Sequence, residues 1–193
     1  MNTPRNAPLA ANASTRDKIM KGGVQLLRTR SYLCFSFQDI ANEVGIRKPS
    51  LHHHFASKEV LGLELLRDAT QRFKGFTTRT PADPVAKLDA YVAMYRNSLH
   101  AGDAVCPAGA FAPGWDCTGP ELKAAVRELR TAHIVWLAGV VGALNATRHL
   151  GDPAEVAASV FAACQGGLIS ARVTGSAEDF DDSVALIRTS WAA

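Results

Sequence analysis

The side chains best able to do chemistry crowd into one stretch, Arg47-Lys48-Pro49-Ser50-Leu51-His52-His53-His54, with Ser36 and Gln38 just before it and Lys58 just after. Guanidinium, ammonium, hydroxyl, amide and imidazole groups at this density suit contacts to base edges and phosphates. Three consecutive histidines also suggest a metal site, but successive residues on a helix point about 100° apart and cannot share one ion. No metal and no cofactor is expected. The four cysteines, Cys34, Cys106, Cys117 and Cys164, are too widely spaced for paired CxxC zinc ligation and fit a reducing cytoplasm. No nucleophile, base and orienting acid share one recognisable motif, and no Gly-rich phosphate loop is present, so an enzyme is not expected. The enzymatic alternative is a thiol-dependent or helical hydrolase using Cys106 with His133 or His100.

Charge marks the same stretch. The whole chain, 193 residues and 20.6 kDa, carries a formal net charge of +3. Divided after Lys58, it separates into a first part with nine basic and three acidic residues and a remainder with twelve basic and fifteen acidic. A head of +6 on a body of −3 points to a polyanion as the partner of the head. With 47% hydrophobic residues the chain is able to bury a core. No uninterrupted apolar run approaches the ~20 residues of a membrane helix, so no membrane partner is expected. Residues 1–14 read as a disordered arm without the apolar segment of a secretory signal.

The elements that must position these residues are helical throughout. Asp17 to Arg30 places Ile19, Gly23, Leu26 and Leu27 on one face, and Gly22 and Gly23 imply a closely packed neighbour. Ser36 caps a second helix, with Asp39 completing a capping box, and Gly45 permits the turn into a third over Lys48–Phe55. Ser57 caps a fourth. Asp83-Pro84, Gly119-Pro120 and Asp152-Pro153 open longer helices of about 17, 26 and 22 residues by the periodic pattern, and Ser176 opens the last. Residues 101–118 are irregular or hold one short helix. The fold class is all-α: a helix-turn-helix head over 15–58 and a helical body over 59–193.

The head resembles the DNA-binding domain of the TetR family of bacterial transcriptional repressors. The resemblance rests on Asp39-Ile40-Ala41, Val44-Gly45-Ile46, Lys48-Pro49-Ser50-Leu51, His53-His54-Phe55 and Ser57-Lys58-Glu59. It covers roughly residues 15–66. It implies base-edge contacts from Gln38, Lys48, Pro49 and His52, phosphate contacts from Ser36, Ser50, His53 and Lys58, and either from Arg47. His54 is expected to pack inward. Two departures stand out: His52 where the family usually has an aromatic residue, and Ser31 where a glycine before the aromatic Tyr32 is usual.

The same resemblance implies a homodimer built from the last two helices, acting on a near-palindromic double-stranded operator. Ala158, Phe161, Ala162 and Ile169 on the first of them, and Phe180, Val184, Ile187 and Trp191 on the second, are the expected interface. It also implies a pocket for a small-molecule inducer inside the body. The candidate lining is Tyr91, Met94, Tyr95, Phe111 and Trp115, then His133, Trp136, Leu137, Phe161, Cys164 and Leu168. Aromatic and Met residues at helical spacing equally suit plain core. The segment Cys106–Phe111 followed by Trp115 resembles a subgroup of the family in which a Cys opens the helix preceding the long middle helix, and some members use that Cys to sense electrophiles or oxidants. Cys106 stands there, with Cys117 as a possible resolving thiol; its other reading is a small buried hydrophobe, as for Cys34 and Cys164. The function expected is therefore a ligand-responsive repressor, with thiol modification at Cys106 as the alternative switch.

Overall fold

A computed structural model describes residues 14–100 and 105–192, so the arm expected over 1–14 lies, except for Ser14, outside the described residues. The first helix, α1 (Thr15–Arg30), starts where the Ser14 hydroxyl accepts the Asp17 N–H at 3.1 Å and the Ser14 N–H donates to the Asp17 carboxylate at 3.2 Å. The second, α2 (Phe37–Val44), repeats this box with Ser36 and Asp39, where the Ser36 N–H reaches the carboxylate at 2.7 Å. Those bonds hold the Asp39 carboxyl below the usual range. Gly45 then takes a left-handed conformation, φ 74°, and α3 (Lys48–His54) follows. A Cβ on Gly22 would sit 2.9 Å from the Val44 side chain, and one on Gly23 3.3 Å from Leu65. The paired glycines are therefore where α1 lies against α2 and the helix after α3.

Two packing expectations fail in the head. His54 is exposed, because Leu51 and Phe55, four apart, already fill the inward positions beside it. Cys34 is exposed as well, since the inward places in its loop belong to Tyr32 and Phe35.

Ser31, which closes α1, has φ 65° and ψ 164°, a backbone conformation essentially reserved for glycine. Ser31→Gly should raise the unfolding free energy by about 1 kcal/mol, the relief of strain exceeding the added freedom of the unfolded chain. A thermal melt reads this as roughly 2–4 °C; an unchanged or lower midpoint would show that the position is not strained.

Helix α4 (Lys58–Thr77), capped by Ser57 at 3.1 Å, leads from head to body. The body adds α5 (Pro84–His100), α6 (Pro120–Leu144), α7 (Pro153–Thr174) and α8 (Glu178–Ala192), the first three having 17, 25 and 22 residues. Asp83 and Asp152 accept backbone N–H groups at the starts of α5 and α7, and Ser176 does so for α8. The Gly/Pro/Ala-rich stretch holds two 3-10 turns, Gly109–Phe111 and Trp115–Cys117. No strand occurs among the described residues.

Two apolar clusters organise the molecule. The first joins the head's Ile19, Leu27, Ile40, Leu51 and Phe55 to Phe111, Leu122 and Leu129 of the body. The head thus has no separately closed core: it shares one with α4 and the first half of α6. Polar links cross the same junction, from Arg28 Nε to the Val105 carbonyl at 3.0 Å, from the Tyr32 N–H to the Ala110 carbonyl at 2.9 Å, and from Arg172 to the Thr29 carbonyl at 2.7 Å. The second cluster lies among α5, α6, α7 and α8.

Three residues expected at a dimer interface lie inside this second cluster. Phe180, Val184 and Trp191 are enclosed within the single chain, because one face of α8 packs onto α5 and α7. The outward residues are different: Ile169 and Val173 on α7 and Leu186 on α8 are 55%, 79% and 84% exposed. Ala162 and Gly166 share the outward face of α7, while Ala158, Phe161 and Ile187 are half-buried. By length and composition α7 is apolar enough to cross a membrane, contrary to the expectation from uninterrupted runs. The reason is that both its faces are apolar, one packed on α6 and α8 and the other outward.

Candidate functional site

The helix-turn-helix sorts the candidate DNA contacts by which residues it buries. Phe37, Ile40, Ala41 and Leu51 take the inside, leaving Ser36, Gln38, Arg47, Lys48, Pro49, Ser50, His52 and His53 exposed on α2, α3 and the turn between them. Several are already engaged. Gln38 donates to Asn42 at 2.8 Å, Ser36 belongs to its cap, and the His52 ring lies 5.0 Å from Phe37, edge-on. Lys58 differs from the rest. Its Nζ is 4.5 Å from both the Tyr32 and the Phe35 ring centres, half-buried, and that desolvation lowers its pKa. Its charge is held against the aromatic residues of the loop between α1 and α2 by cation–π attraction.

A cleft of about 790 Å³ opens between α1 and α4 on one side and α5, α6 and Cys106-Pro107 on the other. Of the expected lining, Met94, Tyr95 and His133 face it. Tyr91, Leu137, Cys164 and Leu168 are buried behind it in the second cluster, where Trp136 and Phe161 are half-buried. Phe111 and Trp115 belong with the first cluster. Phe111 stacks on Tyr32 at 4.5 Å, and Trp115 lies beneath the cations of Lys123 and Arg127.

Buried polar groups form a chain beside the cleft. His133 Nδ1 and the Tyr91 hydroxyl are 2.8 Å apart, and the Tyr91 and Tyr95 hydroxyls 3.3 Å. Gln165 Nε2 donates to the Tyr95 oxygen at 3.3 Å and to Cys106 Sγ at 2.9 Å. Among the described residues no buried side-chain nitrogen or oxygen lacks a partner. The His133 ring also lies face to face with Phe73, 3.6 Å between centres. Burial pushes its pKa from 6.5 down to about 3, both tyrosines well above 10, and Cys164 up to about 12. His133, Tyr91 and Tyr95 are accordingly uncharged at neutral pH. Gln165 and Phe73 were not anticipated. The one signal in the sequence is a long amide at Gln165 among small residues, Ala162-Ala163-Cys164-Gln165-Gly166-Gly167.

This burial predicts a pH dependence. Folding lowers the His133 pKa from 6.5 to about 3, so between those values the unfolded chain binds the extra proton. His133 therefore favours the fold above pH 6.5, and its contribution declines as pH falls toward 3, by about 1.4 kcal/mol per unit. Denaturant melts between pH 7 and 4.5 should show this slope reduced in His133→Asn. An identical slope in both proteins would show that His133 does not titrate with unfolding.

Cys106 does not open a helix of any length. It precedes the three-residue turn Gly109–Phe111, too short to build a macrodipole, and its sulfur accepts from Gln165 and, at 3.5 Å, from the Gly109 N–H. Cys117 ends the second 3-10 turn and is exposed.

These observations define a class: a basic helix-turn-helix head joined through a shared core to an all-helical body with a ligand-sized cleft at the junction. Residues 19–65 match the family model described as bacterial regulatory proteins, tetR family. Among curated proteins, the transcriptional repressor KstR2 of Mycolicibacterium smegmatis is 39% identical over 56 residues, 29% of this chain and 27% of that protein. The regulator EthR of the same organism is 27% identical over 137 residues, 69% of this chain and 60% of that one. The matched stretches thus span less than two thirds of either relative. A solved TetR-family regulator from Agrobacterium tumefaciens superposes with TM-score 0.85 at 25% identity, covering 92% of this chain and 98% of its own. The head is thus similar to those of TetR-family regulators over residues 19–65, and the fold of the described chain is that of a solved TetR-family regulator.

Proposed function

We propose that this protein is a transcriptional repressor that binds a near-palindromic operator as a homodimer and is released by a small molecule held in the body. The observation that carries the reading is the exposed, donor-rich face of α3 on a head whose first helix is also a wall of the cleft. Relatives bearing the names of a transcriptional repressor and a transcriptional regulator support it. Gln38, Lys48, Pro49 and His52 are assigned to base edges, and Ser36, Ser50, His53 and Lys58 to phosphates, with Arg47 serving either. The outward stripe of α7 and Leu186 of α8 is the surface the second copy covers. A cytoplasmic location follows from an operator partner.

The test is a gel shift and footprint on the DNA upstream of the protein's own gene. Lys48→Ala should weaken that binding about tenfold or more and relax sequence preference, whereas His53→Ala should weaken all sequences alike and reduce the salt slope. Absence of any palindromic footprint there and genome-wide would overturn the reading. The alternative switch, modification of Cys106, is favoured by one observation: the residue lines the cleft. If Cys106→Ser loses operator binding to a thiol reagent just as the wild type does, the sulfur is a packing atom.

A further inference from the structure

We propose that the cleft takes an uncharged, largely apolar molecule with one hydrogen-bonding group, and that this molecule acts on the head by touching α1 directly. The proposal rests on the ligand-responsive reading above and adds the ligand's chemical class and its point of action.

The class follows from how charge is distributed over the cleft. Six Asp, Lys and Arg side chains border it: Arg16, Asp17, Lys21 and Arg72 are exposed, and Arg28 and Asp68 are half-buried. The exposed arginines have carboxylates already, Arg16 with Glu64 at 2.9 Å and Arg72 with Asp68 at 2.6 Å. The interior is Leu27, Leu65, Phe73, Tyr95, Leu129 and His133, all buried. Among the described residues no Asp, Glu, Lys or Arg is buried, and the floor's polar groups bond to one another as neutral species. An ionised group seated among these interior residues would leave water, and the half-buried charges beside it are already engaged, Arg28 with the Val105 carbonyl and Asp68 with Arg72, so a single ion meets a large penalty. A single hydroxyl or carbonyl meets something different. The Tyr95 hydroxyl is held by the two longest oxygen-based links of the buried chain, both 3.3 Å, and a ligand group at that oxygen replaces either without stranding a buried charge. Met20 of α1 and Met94 of α5 flank the interior, adaptable side chains suited to a flat ring.

The point of action follows from what the occupant must touch. Met20, Val24, Leu27 and Arg28 make α1 a full wall of the site. The opposing Cys106-Pro107 is bracketed by the two carbonyls that anchor the head, Val105 accepting from Arg28 at 3.0 Å and Ala110 accepting from the Tyr32 N–H at 2.9 Å. A molecule seated here presses on α1 and on its tether together, and α1 packs on α2 of the reading unit. Filling the cleft therefore shifts the head's equilibrium position by as much as the ligand prefers one position to another.

The experiment uses the full chain at pH 7 with three naphthalenes of one shape: 2-naphthol, 2-naphthoate and 2-(aminomethyl)naphthalene. The expected result is a rise in melting temperature with 2-naphthol, which binds at least tenfold more tightly than either ion. Val24→Trp, obstructing the cleft from α1, and Ala69→Leu, obstructing it from α4, should each cut 2-naphthol affinity at least tenfold while retaining helical content. Saturating 2-naphthol should weaken operator binding by the wild type at least tenfold. Three results overturn the proposal: 2-naphthoate binding as well as 2-naphthol, none of the three binding, or 2-naphthol affinity unchanged in both folded variants. Binding of 2-naphthol with no effect on operator affinity overturns the action on the head. If the wild type binds no operator at all, the regulatory reading fails, and with it the action on the head; the three naphthalenes still decide the ligand class.

Discussion

Trp191→Ala should lower the unfolding free energy by about 4 kcal/mol, the range for deleting a fully buried Trp side chain. Trp191 has 0% exposure in the isolated chain, and its indole N–H donates to Asp89 at 3.3 Å. Arg188 reaches the same carboxylate oxygen at 3.1 Å, and Arg148 bonds the Trp191 carbonyl. The side chain thus fastens the end of α8 to α5, while the Trp191 backbone carbonyl ties it to the loop after α6. Its removal leaves a cavity that α8 cannot close without giving up the Arg188–Asp89 pair. A thermal melt at fixed protein concentration should fall by roughly 8–16 °C for a chain of this size. Trp191→Phe, which keeps most of the volume and loses only the indole donor, should recover most of the loss. A change below about 1 kcal/mol in Trp191→Ala would place the side chain outside the core.

That prediction marks where sequence reading stops. Local chemistry was legible: Ser36 and Asp39 form the expected box, Gly45 makes the left-handed turn, and the three Asp/Gly-Pro starts open helices of 17, 25 and 22 residues. These depend on neighbours within a few residues. On α8, periodicity separates Phe180, Val184, Ile187 and Trp191 from Leu186, which lies on the opposite side. It does not say whether the apolar stripe meets the chain's own core or a second copy, because burial against either suits the same residues. The physical decision belongs to α5 and α7, distant in sequence. The cleft shows the same limit. Met94, Tyr95 and His133 were expected there from their types, but α1 as a wall could not be, since nothing local brings Met20 near Met94. Gln165 escaped notice for the same reason: its two acceptors, on Tyr95 and Cys106, are 70 and 59 residues away.

The second large effect concerns the stripe that remained outside. Ile169→Glu combined with Leu186→Glu should convert the proposed dimer, twice 20.6 kDa, into a folded monomer and reduce operator affinity by about a hundredfold or more, because one head module alone binds weakly. Both side chains are exposed in the single chain, 55% and 84%, so the substitutions add carboxylates where each protomer alone meets water. Changes at such positions alter the stability of an isolated chain by about ±0.5 kcal/mol. In the proposed dimer the same patch faces its own copy across a two-fold axis, so four new carboxylates are brought into one apolar contact. Repulsion and unpaired burial then act together, and association fails while the fold persists. Light scattering gives the mass, circular dichroism the helical content, and fluorescence anisotropy the operator affinity. A double variant that stays dimeric would move the interface off α7 and α8. One that becomes monomeric but binds the operator as tightly as the wild type would show that each head reads its half-site alone. Trp191→Ala and this pair therefore make opposite demands on α8: its inner stripe should govern stability with the dimer's contribution held fixed, and its outer stripe association with the fold intact.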